Sequence, residues 1–367
     1  MLERVVEAIE RRDCERADRL LQDLKQQEPD HPWIAFYSAR LAEASGNLAV
    51  AEQGYREVLC NATNPKIISQ ARQGIERLVQ IERQQRQQER DRAMAEPGSQ
   101  EPGVLVLEAI DPELRQSAAK KFAKIMNLDP YIARLQLPTR SWRLYRTGSM
   151  GELRFYSTAI AAAEIPCFCL PISRINAIAV YKARYFQSVY TTPTVICQDK
   201  NGRSVAIDFD WSQVSQRVEA LLPLFEKCVD RDVRGRLIRK TQIQDYVKVC
   251  DLHLPGKNTI VRLWDRGYQF HEGIIVFDRQ QSVDGQTTLI QKWDRLMQFL
   301  QQQLATIPVW SDFKAFADMA RDFSDTLKLI DPQIDLFRRE ETDWDNTFQL
   351  YSGLVLLSSS RTPKPIR

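Results

Sequence analysis

The feature that most constrains the fold of this chain is a repeat with a period of 34 residues between Ala8 and Pro65. Three largely apolar positions and one turn recur at this spacing: Ala17 as Ala51, Leu21 as Tyr55, Leu24 as Val58, and Arg12-Asp13 as Gly46-Asn47. A helical hairpin cannot bury its apolar face alone, so this period indicates hairpins that stack on one another. The stack leaves a groove that can hold another chain, which favours a binding function over catalysis.

Helical periodicity covers the start of the chain and predicts a separate domain over residues 1–95. The expected helices are Leu2–Arg12, Cys14–Gln27, Pro32–Ser45, Leu48–Cys60 and one that begins at Pro65. This last helix keeps an apolar stripe as far as Ile81 and has no apolar residue over 82–92. We therefore expect it to cap the repeats, to project into solvent, and to end before a linker at 96–103.

The repeated positions resemble those of the tetratricopeptide repeat (TPR) family over residues 1–81. The matching residues are Ala8, Ala17, Leu21, Leu24 and Pro29 in the first unit, and Gly46, Leu48, Ala51, Tyr55, Val58 and Leu59 in the second. The sequence departs from the family at Arg12, where glycine is usual, and at Ala35, where tryptophan is common. The whole chain is also similar to uncharacterised cyanobacterial TPR-containing proteins, through segments 210–218 and 244–253, and this similarity implies no activity.

The TPR resemblance implies which residues line the groove. It places Trp33, Phe36, Arg40 and Glu43 on the groove side of the second hairpin, and Leu2 and Val6 at the equivalent positions of the first. Aromatic side chains and arginine contribute much of the binding energy in protein interfaces. Trp33 and Phe36 could instead pack against the neighbouring hairpin, and the sequence leaves both alternatives open.

Beyond residue 103 the pattern predicts mixed secondary structure, which makes the chain an α+β multidomain protein. A small α/β unit over 104–175 is expected to contain strands Val104–Glu108, Trp142–Arg146 and Pro166–Leu170, and helices Pro112–Met126, Asp129–Leu135 and Gly151–Ala163. The order of strand, helix and strand indicates a right-handed crossover.

Residues 176–280 are expected to form an antiparallel β-meander with one packed helix. The predicted strands are Ala177–Gln187, Thr194–Gln198, Val205–Asp210, 246–254 and 259–264. Turns at Asn201-Gly202 and Pro255–Asn258 are typical of hairpins. The predicted helix is Trp211–Val229, where apolar residues recur at helical spacing.

The C-terminal region, 281–357, is expected to be helical and to precede a polar tail at 358–367. Its predicted helices are Thr287–Ala305, Asp312–Ile330 and Pro332–Leu357, the last with a break near Thr342-Asp343. Their apolar faces fit an intramolecular cover or a homo-oligomer interface equally well.

Composition limits the compartment and the class of partner. The formal net charge is only +3, so no global electrostatic field steers the chain to nucleic acid or anionic lipid. The sequence contains no signal-peptide pattern and no apolar stretch long enough to span a bilayer. The seven cysteines are scattered and do not resemble a disulfide framework. We therefore expect a cytoplasmic protein with reduced cysteines and no integral membrane segment.

The best metal-binding candidate is the set Cys167, Cys169, Cys250 and His253, whose ligand types suit tetrahedral zinc. The spacing argues against it, because residues 250 and 253 point to opposite faces of a strand. The favoured interpretation is two buried cysteines and a partly exposed His253. No nucleotide-binding loop, nucleophile elbow or zinc-protease motif occurs, so we predict no catalytic residue, no metal and no cofactor.

Two further clusters could act chemically. Asp208 and Asp210 share a strand face and could bind a cation or exchange protons. The favoured interpretation is that Asp210 caps the following helix and that Asp208 is exposed to solvent. The second cluster is a run of five basic residues: Arg231, Arg234, Arg236, Arg239 and Lys240. With Tyr246 and Trp264 downstream, this run could bind single-stranded nucleic acid. A solvated loop or a site for an acidic partner is favoured because the whole chain is nearly neutral.

The sequence thus predicts a non-enzymatic adaptor, scaffold or assembly factor that binds a partner peptide or helix in its TPR-like groove. The alternative is a ligand- or RNA-binding regulatory protein that uses the basic segment from Arg231 to Lys240. An enzyme that uses Asp208, Asp210, Cys250 or His253 ranks last.

Overall fold

The computed structural model describes residues 2–29, 31, 33–190, 192–231, 236–274, 288–336 and 342–358. The chain divides into two compact units, Met1–Arg92 and Ala93–Arg367. The division lies three residues before the predicted end of the helical domain. Each unit is described by itself.

The N-terminal unit is built from helices. They are α1 (Leu2–Glu10), α2 (Cys14–Gln27), α3 (Trp33–Ala44), α4 (Leu48–Asn61) and α5 (Pro65–Ala95), of which the last extends three residues past the division. Wherever the sequence predicted the first or last residue of a helix, the observed end lies within two residues of it. The local signals explain the agreement: the side chain of Asp13 accepts a hydrogen bond from the backbone N–H of Arg16 and caps α2.

The two hairpins repeat each other's turn geometry at the 34-residue period. Arg12 and Gly46 both adopt a left-handed conformation, with φ of 61° and 81°. The residues that follow them make equivalent backbone bonds, from Asp13 to the carbonyl of Ala8 and from Asn47 to the carbonyl of Ala42. Arg12 therefore adopts the same left-handed conformation as Gly46, at some conformational cost for a residue with a side chain.

Small residues let the helices of this unit pack closely. A Cβ atom on Gly74 would lie 2.5 Å from the ring of Tyr55, so α5 requires glycine where it passes α4. The buried residues of α5 are Ile67, Ala71, Gly74 and Leu78. The exposed, polar stretch 82–92 lies beyond them, as the sequence predicts.

The second unit contains two sheets and several helices. Its strands are β1 (Pro102–Leu107), β2 (Arg143–Ser149), β3 (Cys167–Pro171), β4 (Ala179–Ser188), β5 (Thr194–Gln198), β6 (Ser204–Asp208), β7 (Gln216–Arg231), β8 (Leu237–Leu254), β9 (Thr259–Trp264) and β10 (Val309–Trp310). Its helices are α6 (Arg115–Met126), α7 (Pro130–Gln136), α8 (Met150–Ala162), α9 (Ile172–Asn176), α10 (Leu289–Gln303), α11 (Phe313–Ala320), α12 (Ser324–Leu327) and α13 (Trp344–Ser358).

The smaller sheet has the order β2-β1-β3, and both of its pairings are antiparallel. Strands β2 and β3 each run antiparallel to β1 and are therefore parallel to each other, and α8 lies between them in the chain, so the predicted strand–helix–strand crossover is present around β1. The strands and helices themselves lie near their predicted positions. Helices α6 and α8 share one apolar core with the face of this sheet that carries Leu105 and Leu107.

The larger sheet has the order β10-β7-β8-β9-β4-β5-β6. Strand β9 pairs with β4 in parallel and β10 pairs with β7 in parallel, so the sheet is mixed rather than a continuous antiparallel meander. The hairpin turn at Asn201-Gly202 is present, with a left-handed Gly202 between β5 and β6.

The predicted helix Trp211–Val229 is wrong. A short 3-10 turn covers Trp211–Gln213, and β7 follows it. Val214, Val218 and Leu222 are buried at a spacing of four residues, which fits one face of a strand as well as one face of a helix. Pro223 lies inside the predicted helix, and proline interrupts helical hydrogen bonding.

Strands β7 and β8 continue far beyond the rest of the sheet. Strand β10 pairs with β7 only at Arg217 and Val218, and β9 pairs with β8 only over Val249–Leu254. Beyond these pairings, residues 221–231 and 237–248 form a two-stranded ribbon whose outer edges have no strand partner among the described residues. We call this ribbon the β-arm.

One core joins the segments predicted as separate regions at 104–175, 176–280 and 281–357. It combines Val104 and Phe168 of the small sheet, Leu222 and Val247 of the large sheet, and residues of α11 and α13 such as Phe348. Helix α13 is buried on all sides from Thr347 to Leu356. The C-terminal helix therefore acts as an intramolecular element, and its predicted use as a homo-oligomer interface does not fit this burial.

The other C-terminal helices depart from prediction mainly in their ends. Thr288 caps α10 through its side chain, close to the predicted start. The predicted helix Asp312–Ile330 is divided into α11, a 3-10 turn at Arg321–Phe323, and α12. Across the described ranges, every helix is too short or too polar to cross a membrane.

Candidate functional site

The predicted groove residues lie on helices α1 and α3, and three neighbouring residues of α3 form a half-exposed row. Trp33, Tyr37 and Arg40 follow one another at i, i+4 and i+7, so they share one helix face. The rings of Trp33 and Tyr37 are stacked, with centroids 5.7 Å apart and an interplanar angle of 27°. We call these three residues the α3 row. Tyr37 was not among the predicted groove residues, although its spacing from Trp33 indicated it.

Electrostatics within the α3 row are mild. Partial burial raises the pKa of the Tyr37 hydroxyl, and the positive charge of Arg40 opposes that shift. Tyr37 also contacts the apolar clusters of both hairpins, which fixes its ring in place. The row therefore presents two aromatic surfaces and one cation on a rigid helix, which suits an apolar side chain followed by an acidic group.

Phe36 does not lie in an open groove. It is buried and packs against Tyr55 of α4, with ring centroids 5.8 Å apart. The prediction that Phe36 contacts a partner is therefore wrong, because its neighbours in the repeat core already cover it. Leu2 and Val6 are half-buried on α1, a helix that contacts α3.

Glu43 is held by other residues of the repeat. Its Oε1 atom accepts a hydrogen bond from Arg77 Nε at 2.9 Å, and its Oε2 atom accepts one from Arg77 Nη2 at 3.1 Å and another from the Tyr55 hydroxyl at 2.5 Å. Burial alone would raise the pKa of Glu43, but the hydrogen bonds from Arg77 and Tyr55 outweigh it and lower that pKa. Glu43 therefore fixes α3 against α4 and α5. The separation between Glu43 and Arg77 is 34 residues, which equals the repeat period.

The basic segment belongs to the β-arm rather than to a loop. Arg231 ends β7, Arg239 and Lys240 lie in β8, and Arg236 immediately precedes β8. Arg234 lies outside the described residues. Arg236 and Lys240 are exposed, so the end of the β-arm presents positive charge to solvent.

The residues considered for metal binding or catalysis are separated in the structure. Cys167 is buried on β3 and its sulfur contacts Ser157, whereas Cys250 and His253 are buried on β8. In the described part of the chain, no group of three or more His, Cys, Asp or Glu side chains is placed to hold a metal ion. Asp208 is exposed at the end of β6, and Asp210 caps the 3-10 turn by accepting a hydrogen bond from the backbone of Ser212 at 2.8 Å.

His253 was predicted to be partly exposed, and that prediction is wrong. It is fully buried within a chain of hydrogen bonds that the sequence did not indicate. Asp251 pairs through both carboxylate oxygens with Arg262, at 2.8 Å each, and accepts a hydrogen bond from the Ser352 hydroxyl at 2.5 Å. Ser352 lies 2.9 Å from His253 Nε2, and His253 Nδ1 lies 3.3 Å from the amide nitrogen of Gln216. We call these five residues the buried network.

The bonding of the buried network fixes the tautomer of His253. The single hydroxyl proton of Ser352 goes to Asp251, so His253 Nε2 carries a proton and donates it to Ser352 Oγ. His253 Nδ1 then accepts from Gln216, which also donates to the carbonyl of Val355 at 2.7 Å. Burial lowers the pKa of His253 to about 4, and the nearby charge of Arg262 adds to this effect while Asp251 opposes it. The imidazole is therefore neutral at physiological pH.

The buried network contains Ser, His and Asp but lacks the order of a catalytic triad. In a triad the serine donates to histidine and the histidine donates to the carboxylate. Here Ser352 donates to Asp251 instead, and Ser352, His253 and Asp251 are all fully buried. The network joins β7, β8 and β9 to α13, which is a structural role.

Comparison of the chain with protein-family models, with curated proteins and with solved structures found no match.

Proposed function

We propose that this protein is a non-enzymatic adaptor or assembly factor whose N-terminal helical unit binds a peptide or helix of a partner protein. The observation that carries the proposal is the α3 row: a stacked, half-exposed Trp33–Tyr37 pair followed one turn later by Arg40. Two flat aromatic side chains and an arginine on one rigid face are typical of the energetic centre of a protein interface. Such a row favours an apolar side chain flanked by a carboxylate in the partner.

The cytoplasm is the compartment that we propose for this function. The cysteines at positions 14, 60, 167, 169, 197 and 250 are all free thiols. Burial raises the pKa of Cys197 to about 12 and that of Cys250 well above its usual value, so these two thiols remain protonated and unreactive. Reduced cysteines of this kind are typical of proteins in a reducing compartment.

The experiment compares partner recovery by the full chain and two charge-reversal variants. Arg40→Glu reverses the charge of the α3 row, whereas Arg19→Glu reverses an arginine on α2 whose side chain is 78% exposed. We expect the parent chain and Arg19→Glu to recover the same protein from lysate and Arg40→Glu to recover at least about tenfold less. Mass spectrometry of the recovered material identifies the partner and measures its amount.

Equal recovery by all three chains would refute the role of the α3 row. Thermal unfolding of the two variants provides the folding control, since a loss of recovery counts only when the helical unit remains intact. Trp33→Ala is a less suitable variant because the Trp33 ring also packs on the repeat core.

We rank RNA or ligand binding by the basic segment second. Exposed Arg236 and Lys240 at the end of the β-arm support it. The exposed apolar side chains of the same arm fit a protein surface better than a phosphate backbone, because apolar groups gain little from contact with phosphates. A salt-sensitive mobility shift of labelled single-stranded RNA, lost when Arg236 and Arg239 are replaced by glutamine, would favour this alternative.

A further inference from the structure

A cleft of about 280 Å³ lies beside strand β2 in the second unit. Four consecutive residues of β2, Arg143 to Arg146, line one side of it. The other side is lined by Met319 of α11 and by Asp322 and Phe323 of the 3-10 turn. The volume is close to the lower end of the range for small-molecule sites, roughly 300 Å³.

The cleft faces the free edge of the smaller sheet. Successive side chains of a strand point to opposite faces, so a cleft lined by four residues in a row lies along the strand edge. Strand β2 is the outermost strand of its sheet. Its outer edge therefore carries backbone N–H and C=O groups that no other strand pairs within the described ranges. Such an edge suits a ligand that has both hydrogen-bond donors and acceptors.

A β-bulge brings two arginines of β2 to the same face. Arg143 pairs with Leu107 and Arg146 pairs with Leu105, and the ladder shifts by one residue between these pairs. Residues directly opposite each other share a face, and Leu105 and Leu107 belong to one core. In a regular strand, positions 143 and 146 would lie on opposite faces, so the bulge is what gathers the two side chains.

The two arginines differ in what they contact. Arg146 donates from Nη2 to Glu152 Oε1 at 2.8 Å, and its guanidinium lies 4.8 Å from the centre of the Tyr156 ring. The only hydrogen bond from Arg143 to a described residue goes from Nη1 to the carbonyl oxygen of Leu135, at 3.2 Å. A guanidinium has five N–H groups. Arg143 therefore keeps donors that a ligand can use, whereas the charge of Arg146 is already balanced.

Asp322 supplies the opposite charge in the cleft. Partial burial lowers the pKa of Arg143, and Asp322 is close enough to oppose this shift, together with Tyr145. Asp322 is exposed, and Arg143 and Asp322 form no ion pair with each other in the described structure. A cation and an anion that share a cleft without touching are complementary to a ligand that carries both charges.

We propose that this cleft binds a free α-amino acid with an apolar side chain. Arg143 binds the carboxylate of the ligand, and Asp322 binds its ammonium group. The half-buried side chains of Met319 and Phe323 contact its apolar side chain. A ligand with only one of the two charges leaves either Arg143 or Asp322 without a partner, so the cleft discriminates against simple carboxylates and simple amines.

Isothermal titration calorimetry of the full chain with L-leucine, L-methionine and L-phenylalanine tests the proposal. We expect at least one of them to bind with a dissociation constant of roughly 100 µM or lower. Two analogues of that ligand, one without its ammonium group and one without its carboxylate, should bind at least about tenfold more weakly. For leucine these analogues are 4-methylpentanoate and 3-methylbutylamine.

Four variants locate the site. Arg143→Gln and Asp322→Asn each remove one charge and should weaken amino-acid binding at least about tenfold. Arg140→Gln and Asp325→Asn change exposed residues that do not line the cleft, and they should leave the affinity unchanged. Asp322→Asn should also bind the amino acid and the analogue without an ammonium group about equally well, which a general loss of structure would not produce.

Three results would overturn the proposal. The first is that none of the three amino acids binds at millimolar concentration. The second is that Arg143→Gln binds the amino acid as tightly as the parent chain does. The third is that inorganic phosphate binds as tightly as the amino acids and loses affinity in Arg143→Gln, which would make the cleft a simple anion site. Thermal unfolding of each variant provides the folding control.

Discussion

Two arginine–carboxylate pairs of this chain have the same bonding and different surroundings. In the N-terminal unit, Glu43 accepts two hydrogen bonds from Arg77 and one from the Tyr55 hydroxyl. In the second unit, Asp251 accepts two hydrogen bonds from Arg262 and one from the Ser352 hydroxyl. The Arg77 and Glu43 side chains are 44% and 13% exposed, whereas those of Arg262 and Asp251 are both 0% exposed.

This difference in exposure decides what each pair does. Water can solvate Arg77, so the Glu43 pair adds a modest amount to helix packing. No water reaches Arg262 and Asp251, and each charge depends on the other and on neighbouring polar groups for its solvation. Arg262 also donates to the side chain of Gln349 at 2.9 Å and to the carbonyl of Pro332 at 2.9 Å. The buried pair therefore fixes the position of the larger sheet against α13. It stabilises the second unit only when both charged side chains and their hydrogen-bonding partners are present.

Removal of Arg262 should have the largest effect. Arg262→Met leaves Asp251 buried without its counter-charge and should lower the free energy of unfolding of the second unit by about 3–5 kcal/mol. Hydrogen exchange of the β8, β9 and α13 amides in rising urea measures this, because it resolves the two units. The control is Arg266→Met, which removes a surface ion pair with Asp245 and should change the free energy of unfolding little. A similar small change for both variants would show that the buried pair does not govern the stability of the second unit.

Acid should have the next largest effect. The pKa of His253 is lowered to about 4 in the folded chain, against 6.5 for the unfolded residue, so the unfolded state binds more protons between these values. This contribution to the free energy of unfolding therefore keeps its full value above pH 6.5. It decreases as the pH falls towards 4, by an amount on the order of 3 kcal/mol.

The variant His253→Gln separates this contribution from that of the carboxylates. It should be less stable than the parent at pH 7.5, and the difference between the two should narrow by pH 4.5. Urea unfolding at a series of pH values measures both quantities. Parallel stability curves for parent and variant across this range would contradict a neutral, buried His253.

Removal of Arg77 should have the smallest effect. Arg77→Met leaves Glu43 with the Tyr55 hydrogen bond and with access to water, so the N-terminal unit should lose only about 1 kcal/mol. Hydrogen exchange of the α3 and α4 amides measures the loss, and Arg72→Met, at an exposed position on the same helix, is the control. A loss as large as that of Arg262→Met would mean that exposure does not distinguish the two pairs.

The helical unit could be predicted well because its signals are local. The turn residues Arg12-Asp13 and Gly46-Asn47 and the apolar positions at a 34-residue spacing lie within the helices that they define. Within the predicted groove, the sequence could not separate Phe36, which is buried, from Trp33, which is half-exposed. Both are aromatic residues on one helix, and their burial depends on where α4 and α5 pass.

The region from Trp211 to Val229 shows where periodicity fails. Buried residues four apart satisfy helix and strand geometry alike, so Val214, Val218 and Leu222 did not distinguish the two. Pro223 was the local signal against a helix. The great length of β7 had no local signal, because it depends on pairing with β8.

By itself, the sequence determined the N-terminal repeats, the α+β class and the ends of most short strands, since each depends on residues close together in the chain. Only the tertiary structure decided the buried network, whose members Gln216, His253 and Ser352 are widely separated in the chain. It also decided that α13 is internal and that the β-arm is uncovered within one chain. Burial and solvation are properties of the packed chain, and residues with the same hydrogen-bonding groups acquire different energies according to what surrounds them.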